Sequence, residues 1–144
     1  MRRLRAALAC TVLALVVSGC ADGYLFRNDQ RITMLSPASF ATVGQPLTVR
    51  WTARDFTAPK DGRFAVLFDL APPAPGETLD NIPPLERRLV KVVDTGEVQA
   101  PMFTHDDNAT GPLQDHHEVT VILLDPHGRR ISETAGYVEF DVRT

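Results

Sequence analysis

Leu47-Thr48-Val49-Arg50-Trp51-Thr52-Ala53-Arg54 alternates without a break. In an extended chain successive side chains point to opposite faces. One face of this run would carry Leu47, Val49, Trp51 and Ala53, and the other Thr48, Arg50, Thr52 and Arg54. A two-residue period of this kind predicts a half-buried strand. Trp51 is in phase with the apolar face, so it is expected to plug a core rather than to serve as a ligand platform.

The same period recurs further along. Phe64, Val66, Phe68 and Leu70 face one way, opposed by Arg63, Ala65, Leu67 and Asp69. Val119, Val121 and Leu123 alternate with Thr120, Ile122 and Leu124, a run apolar enough to be covered on both faces. Val138, Phe140 and Val142 alternate with Tyr137, Glu139, Asp141 and Arg143. Weaker strands are expected over Arg31 to Leu35, Leu89 to Val93 and Val98 to Phe103. Asp125-Pro126-His127-Gly128 has the residue choices of a type I turn, and Pro59-Lys60-Asp61-Gly62 punctuates the gap before Arg63. No segment repeats its apolar residues at 3.6. The expected fold is all-β, an antiparallel β-sandwich of about seven strands.

The N-terminus has a different composition. Met1-Arg2-Arg3-Leu4-Arg5 is basic, and the uncharged run Ala6 to Val17 that follows is about a dozen residues long, against the roughly 20 a spanning helix needs. A basic head, a short apolar stretch and a small-residue junction are the parts of a secretory signal. The junction Val17-Ser18-Gly19-Cys20 resembles the lipobox of bacterial lipoproteins. That resemblance implies cleavage before Cys20, a diacylglycerol on its thiol, and an extracytoplasmic protein of the cell envelope held to a bacterial membrane. An ordinary secretory signal with a coincidental cysteine is the alternative. A retained span fits poorly, because Asp22, Arg27 and Asp29 follow at once. The expected organisation is a signal peptide over 1–19, a lipidated N-terminus and short tether over 20–30, and the sandwich domain over 31–144. With Cys10 lost and Cys20 acylated, no disulfide is expected in the mature chain.

Cleavage would also change the charge. Of 15 Lys and Arg, Arg2, Arg3 and Arg5 leave with the signal against an unchanged 18 Asp and Glu, so the net charge moves from −3 to −6. An acidic surface argues against nucleic acid, which is held by clustered Lys and Arg on phosphate. It equally argues against lying flat on anionic lipid.

Ile32 to Trp51, with its Leu35-Ser36-Pro37 entry, Val43-Gly44-Gln45 turn and Leu-x-Val-x-Trp strand, resembles the opening of bacterial immunoglobulin-like domains. His117 to Val142 is similar to their last hairpin. Together these regions cover about a third of the chain. The resemblance implies an immunoglobulin-like sandwich and says little about activity. Antibody-type domains bridge their sheets with a cysteine pair, which this chain lacks.

The chain holds no Gly-x-Ser-x-Gly, no His-Glu-x-x-His and no phosphate-cradling glycine loop. Ser36, Ser39 and Ser132 are the serines after the signal, and none has a nucleophile context. No catalytic residue is assigned and an enzyme is not expected. Two stretches stand out. Leu70-Ala71-Pro72-Pro73-Ala74-Pro75-Gly76, continuing to Ile82-Pro83-Pro84, is a proline-stiffened loop of the sort a partner grips at low entropy cost. Leu79, Ile82 and Leu85 are expected to tuck it onto the sandwich. His105 to Glu118 gathers histidines and carboxylates, but its spacing matches no calcium-loop or zinc-finger template. No metal is assigned; the candidate ligands are His105, Asp106, Asp107, Asp115, His116 and His117. His116 and His117 are adjacent and would point to opposite faces of a strand, so they could not easily share one ion. The expected function is a membrane-anchored envelope lipoprotein acting as a non-catalytic interaction or assembly module. It would meet the membrane through the lipid on Cys20, another envelope protein through its domain, and no cofactor. The alternative is an extracytoplasmic metal-binding or metal-delivery protein using the His105 to His117 loop.

Overall fold

In a computed structural model of the chain, residues 31–104, 115–133 and 135–143 are described. Eight strands lie among them: β1 (Ile32–Ser36), β2 (Ala41–Val43), β3 (Thr48–Ala53), β4 (Arg63–Phe68), β5 (Val90–Val93), β6 (Glu97–Gln99), β7 (His116–Leu124) and β8 (Gly136–Val142). Two single 3-10 turns, Leu79–Asn81 and Arg87–Leu89, are the helical content. None of the described helices is long and apolar enough to cross a membrane.

The strands form two sheets, a three-stranded one in the order β1-β3-β6 and a five-stranded one in the order β2-β8-β7-β4-β5. Trp51 and Val49 of β3 meet Phe64, Val66 and Phe68 of β4, Val119, Val121 and Leu123 of β7, and Phe140 of β8 in one buried cluster between the sheets. The alternation in the sequence selects these residues, because only one face of each strand can turn inward. Trp51 packs edge-on against Phe64, with ring centroids 5.5 Å apart. Gly136, which opens β8, lies so close to β1 that a Cβ there would meet Ile32 Cγ2 at 2.4 Å.

The expectation of an antiparallel sandwich of seven strands needs correcting in three places. β2 is an additional strand and pairs with β8 in parallel, Ala41 opposite Phe140 and Val43 opposite Val142, so the larger sheet is mixed. Its three residues are too few to display a period. β6 ends at Gln99 rather than Phe103, where Pro101 has no N–H for a ladder. Leu70 leaves the face of Phe64, Val66 and Phe68, because Asp69 adopts a left-handed φ of 51° and turns the chain.

β4 and β7 are covered on both faces. Ala65, Leu67, Ile122 and Leu124 point away from the main core into a second cluster, closed over by Ile82 together with Leu79 and Leu70 of the Pro-rich loop. The five-stranded sheet therefore lies between the other sheet and a strap of irregular chain.

Candidate functional site

Cys20 and the candidate ligands His105, Asp106 and Asp107 lie outside the described residues. Asp115, His116 and His117 are described, at the entry to β7. Register on β7 turns the two imidazoles apart. His116 Nδ1 is 3.0 Å from Asp141 Oδ1 on β8, and its Nε2 is 3.7 Å from Glu139 Oε2. His117 Nδ1 is 2.8 Å from Asp69 Oδ2 at the end of β4, and its ring lies 4.3 Å from that of Phe103. Asp115 contributes a backbone oxygen, which accepts from Val142 N at 2.8 Å. The opposite-face expectation for the two histidines holds. Among the described residues no group of three His, Cys, Asp or Glu side chains is placed to hold a metal ion.

Asp69 gave no signal in the sequence, yet it organises this corner. Its Oδ1 accepts from Glu118 N at 2.8 Å while Oδ2 holds His117, and its backbone N–H donates to Glu118 O at 3.0 Å. The left-handed backbone that makes this possible is one aspartate tolerates better than most residues.

On the outward face of β7 and β8, Glu118 stands directly opposite Glu139. The Tyr137 hydroxyl bridges them, 2.6 Å from Glu139 Oε1 and 2.9 Å from Glu118 Oε2. Burial, and then its hydrogen bonds to Glu139 and Glu118, push the phenol far above its ordinary value. The neutral phenol is therefore the form the fold favours. Its contribution is complete below the unfolded tyrosine value of about 10 and is lost as the pH rises beyond it. Urea unfolding at rising alkaline pH should show wild-type stability falling more steeply than that of Tyr137→Phe above pH ~10. Equal slopes would mean the bridge contributes nothing.

The Pro-rich loop is tied down by several backbone and arginine hydrogen bonds. Gly76 N donates to Arg130 O at 2.8 Å, and Arg130 N donates back to Glu77 O at 2.9 Å. The Arg130 guanidinium, on a residue only 6 % exposed, donates to Pro73 O at 2.6 Å and to Glu133 O at 2.8 Å. Burial lowers its pKa and the nearby Glu133 partly offsets the shift. Arg129 reaches Gly76 O at 3.1 Å, and Arg87 reaches Asp80 O at 2.9 Å and Ile82 O at 3.1 Å. Proline removes backbone donors, so this loop offers mainly carbonyls, and arginines supply the missing N–H groups. Arg129-Arg130 directly after a turn glycine was the available signal, and it carried no hint of a partner more than 50 residues away.

Leu79 and Ile82 pack under the strap as expected. Leu85 does not: it is 86 % exposed, projecting beyond Pro83 and Pro84 with Arg88 nearby in the chain. Leu85 instead sits within a turn closed by Glu86 N donating to Pro83 O at 2.9 Å, where its side chain is left to solvent. In comparison with known proteins, the chain matches no family model, no curated protein and no solved structure.

Proposed function

We propose that this protein is a lipid-anchored envelope lipoprotein whose immunoglobulin-like domain is a non-catalytic interaction module. The order of strands supports the domain reading. An N-terminal edge divided between the two sheets as β1 and β2, then β3, β4 and β5, a β6 that returns beside β3, and a final β7–β8 hairpin follow the path A, A′, B, C, C′, E, F, G of immunoglobulin-like sandwiches. Two departures from antibody domains remain: no cysteine pair bridges the sheets, and the core tryptophan sits on β3 rather than on the next strand.

The observation that carries the interaction reading is the strap itself. Arg130, Arg129 and Arg87 hold a proline-stiffened loop in one conformation against the sheet while Leu85 projects from it. A partner meeting a preordered loop has little ordering entropy to overcome. Leu85 gives such a partner a large exposed apolar side chain to cover.

The test has two arms. Replacing Leu85 with photoreactive benzoylphenylalanine in cells should give one discrete adduct after irradiation, and the same reagent at Arg50 on the opposite sheet should give none. Adducts of equal yield and pattern at both positions, or none at either, would remove the interaction reading. Cys20→Ser should lose both fatty-acid labelling and detergent partitioning completely. Continued partitioning by this variant would instead identify Ala6 to Val17 as a retained span.

A further inference from the structure

β5 ends one side of the five-stranded sheet, with β4 on one flank and no strand on the other. In an antiparallel pair only alternate residues bond to the partner strand, and the N–H and C=O groups between them point outward. Val90 N is taken up by Arg87 O at the end of the 3-10 turn. Over 91–93 the outward groups meet no other backbone partner among the described residues. The strap leaves this edge open, because its long-range hydrogen bonds join Pro73, Gly76 and Glu77 to Arg129 and Arg130 instead. The other margins are shorter or broken. β2 and β6 have three residues each, and β1 is interrupted by a register shift between Met34 and Ser36. β5 runs in unbroken register with β4 from Val90 opposite Leu67 to Val93 opposite Phe64.

This edge is positive in an acidic chain. Arg87, Arg88 and Lys91 fall in a stretch, 87–93, that contains no Asp or Glu, whereas the whole chain has 15 Lys and Arg against 18 Asp and Glu. Among the described residues none of the three lies within ion-pair distance of a carboxylate. Of the flanking acids, Asp94 is already held by Arg63 Nε at 2.6 Å, and Glu86 lies before the 3-10 turn. The two faces of β5 also differ. Lys91 stands opposite Val66, on the side of the main core at its margin, and is half-buried. Val90 and Val92 turn to the other side and pack with Leu70 and Leu79 of the strap.

A lysine within an edge strand ordinarily bars further pairing, since an added strand has to face the charge. A second copy of β5 would bring a second lysine to the same margin. A strand that brings a carboxylate there turns the same charge into an attraction. We infer that β5 pairs with an extended acidic segment of a partner protein, which joins the five-stranded sheet as a further strand. Its carboxylates would lie on the Lys91 side and its apolar side chains beside Val90 and Val92. Main-chain hydrogen bonds supply the affinity of such strand addition, and alternate side chains supply the specificity. The inference rests on the interaction reading above and names the chemistry of the partner.

The experiment is an NMR titration of the labelled full-length protein, following the amides of Lys91, Val92 and Val93 and their hydrogen exchange. The probe is a blocked peptide of alternating glutamate and valine. Its controls are the lysine–valine counterpart and a fully N-methylated glutamate–valine peptide, which keeps the charges and lacks the donors. The first peptide should shift the β5 amides and slow the exchange of those that point outward; neither control should do so. The double variant Arg88→Glu with Lys91→Glu should bind the glutamate peptide at least about tenfold more weakly and gain binding of the lysine peptide. That exchange of preference is one a merely unfolded edge would not show. Equal shifts by the N-methylated peptide, or an unchanged preference in the double variant, would overturn the inference. So would protection of these amides that rises with protein concentration alone, which would assign the edge to a second copy. The titration uses purified protein and the Leu85 adduct is read in cells. No peptide shift together with a discrete Leu85 adduct would therefore sink the edge inference and leave the interaction reading standing.

Discussion

Trp51→Ala is expected to cost about 3–5 kcal/mol of folding stability, the range for deleting a large buried aromatic. The indole is 2 % exposed, packs edge-on against Phe64, and belongs to the cluster that joins both sheets. Its Nε1 has no hydrogen-bond partner among the described residues. Truncation therefore removes packing without stranding a polar neighbour, and the loss of an unpartnered buried N–H offsets part of the transfer and cavity cost. Arg50→Ala, the adjacent position, should stay within about 0.5 kcal/mol. The Arg50 side chain is 61 % exposed and its contact with Glu97, at 3.6 Å, is an exposed ion pair of little worth. Urea unfolding should shift the midpoint of the first variant strongly and of the second hardly at all, with similar slopes. Comparable losses in the two variants would mean that β3 is buried on both faces.

Arg130→Ala should cost about 2–4 kcal/mol and release the strap. Two hydrogen bonds from a charged donor, to Pro73 O and Glu133 O, would be lost at about 1.5–3 kcal/mol each. Part of that is offset because a guanidinium no longer has to be buried, and in the wild type its Nε lacks a partner. Arg130→Met separates the two contributions, since it keeps most of the bulk without the charge. It should still lose stability and should speed hydrogen exchange at Gly76, whose amide donates to Arg130 O. Wild-type stability and exchange in the methionine variant would mean that apolar packing by Leu79 and Ile82 alone holds the loop.

Strands whose side chains alternate over six residues or more were readable directly. β3, β4, β7 and β8 each place Val, Phe or Trp on one face at a spacing of two, and the structure buries those faces in a common core. β2 was not readable, because Ala41-Thr42-Val43 acquires its identity only from pairing with β8. The same division runs through the candidate residues. The divergence of His116 and His117 follows from strand geometry acting on neighbours in the chain. Their partners Asp141 and Asp69 lie 25 and 48 residues away, and no local pattern announces them.

By itself the sequence determined the all-β character, the inward faces of the long strands, the core position of Trp51 and the turn at Asp125 to Gly128. Each of these depends on interactions within a few residues, and those are encoded by period and turn chemistry. Only the tertiary structure decided that Ala65 and Leu67 are as buried as Phe64 and Val66, that a buried arginine ties the Pro-rich loop to the last hairpin, and that Leu85 faces outward. Those outcomes depend on which distant segment covers which face, a choice made by the packing of the whole chain and not by any one stretch of it.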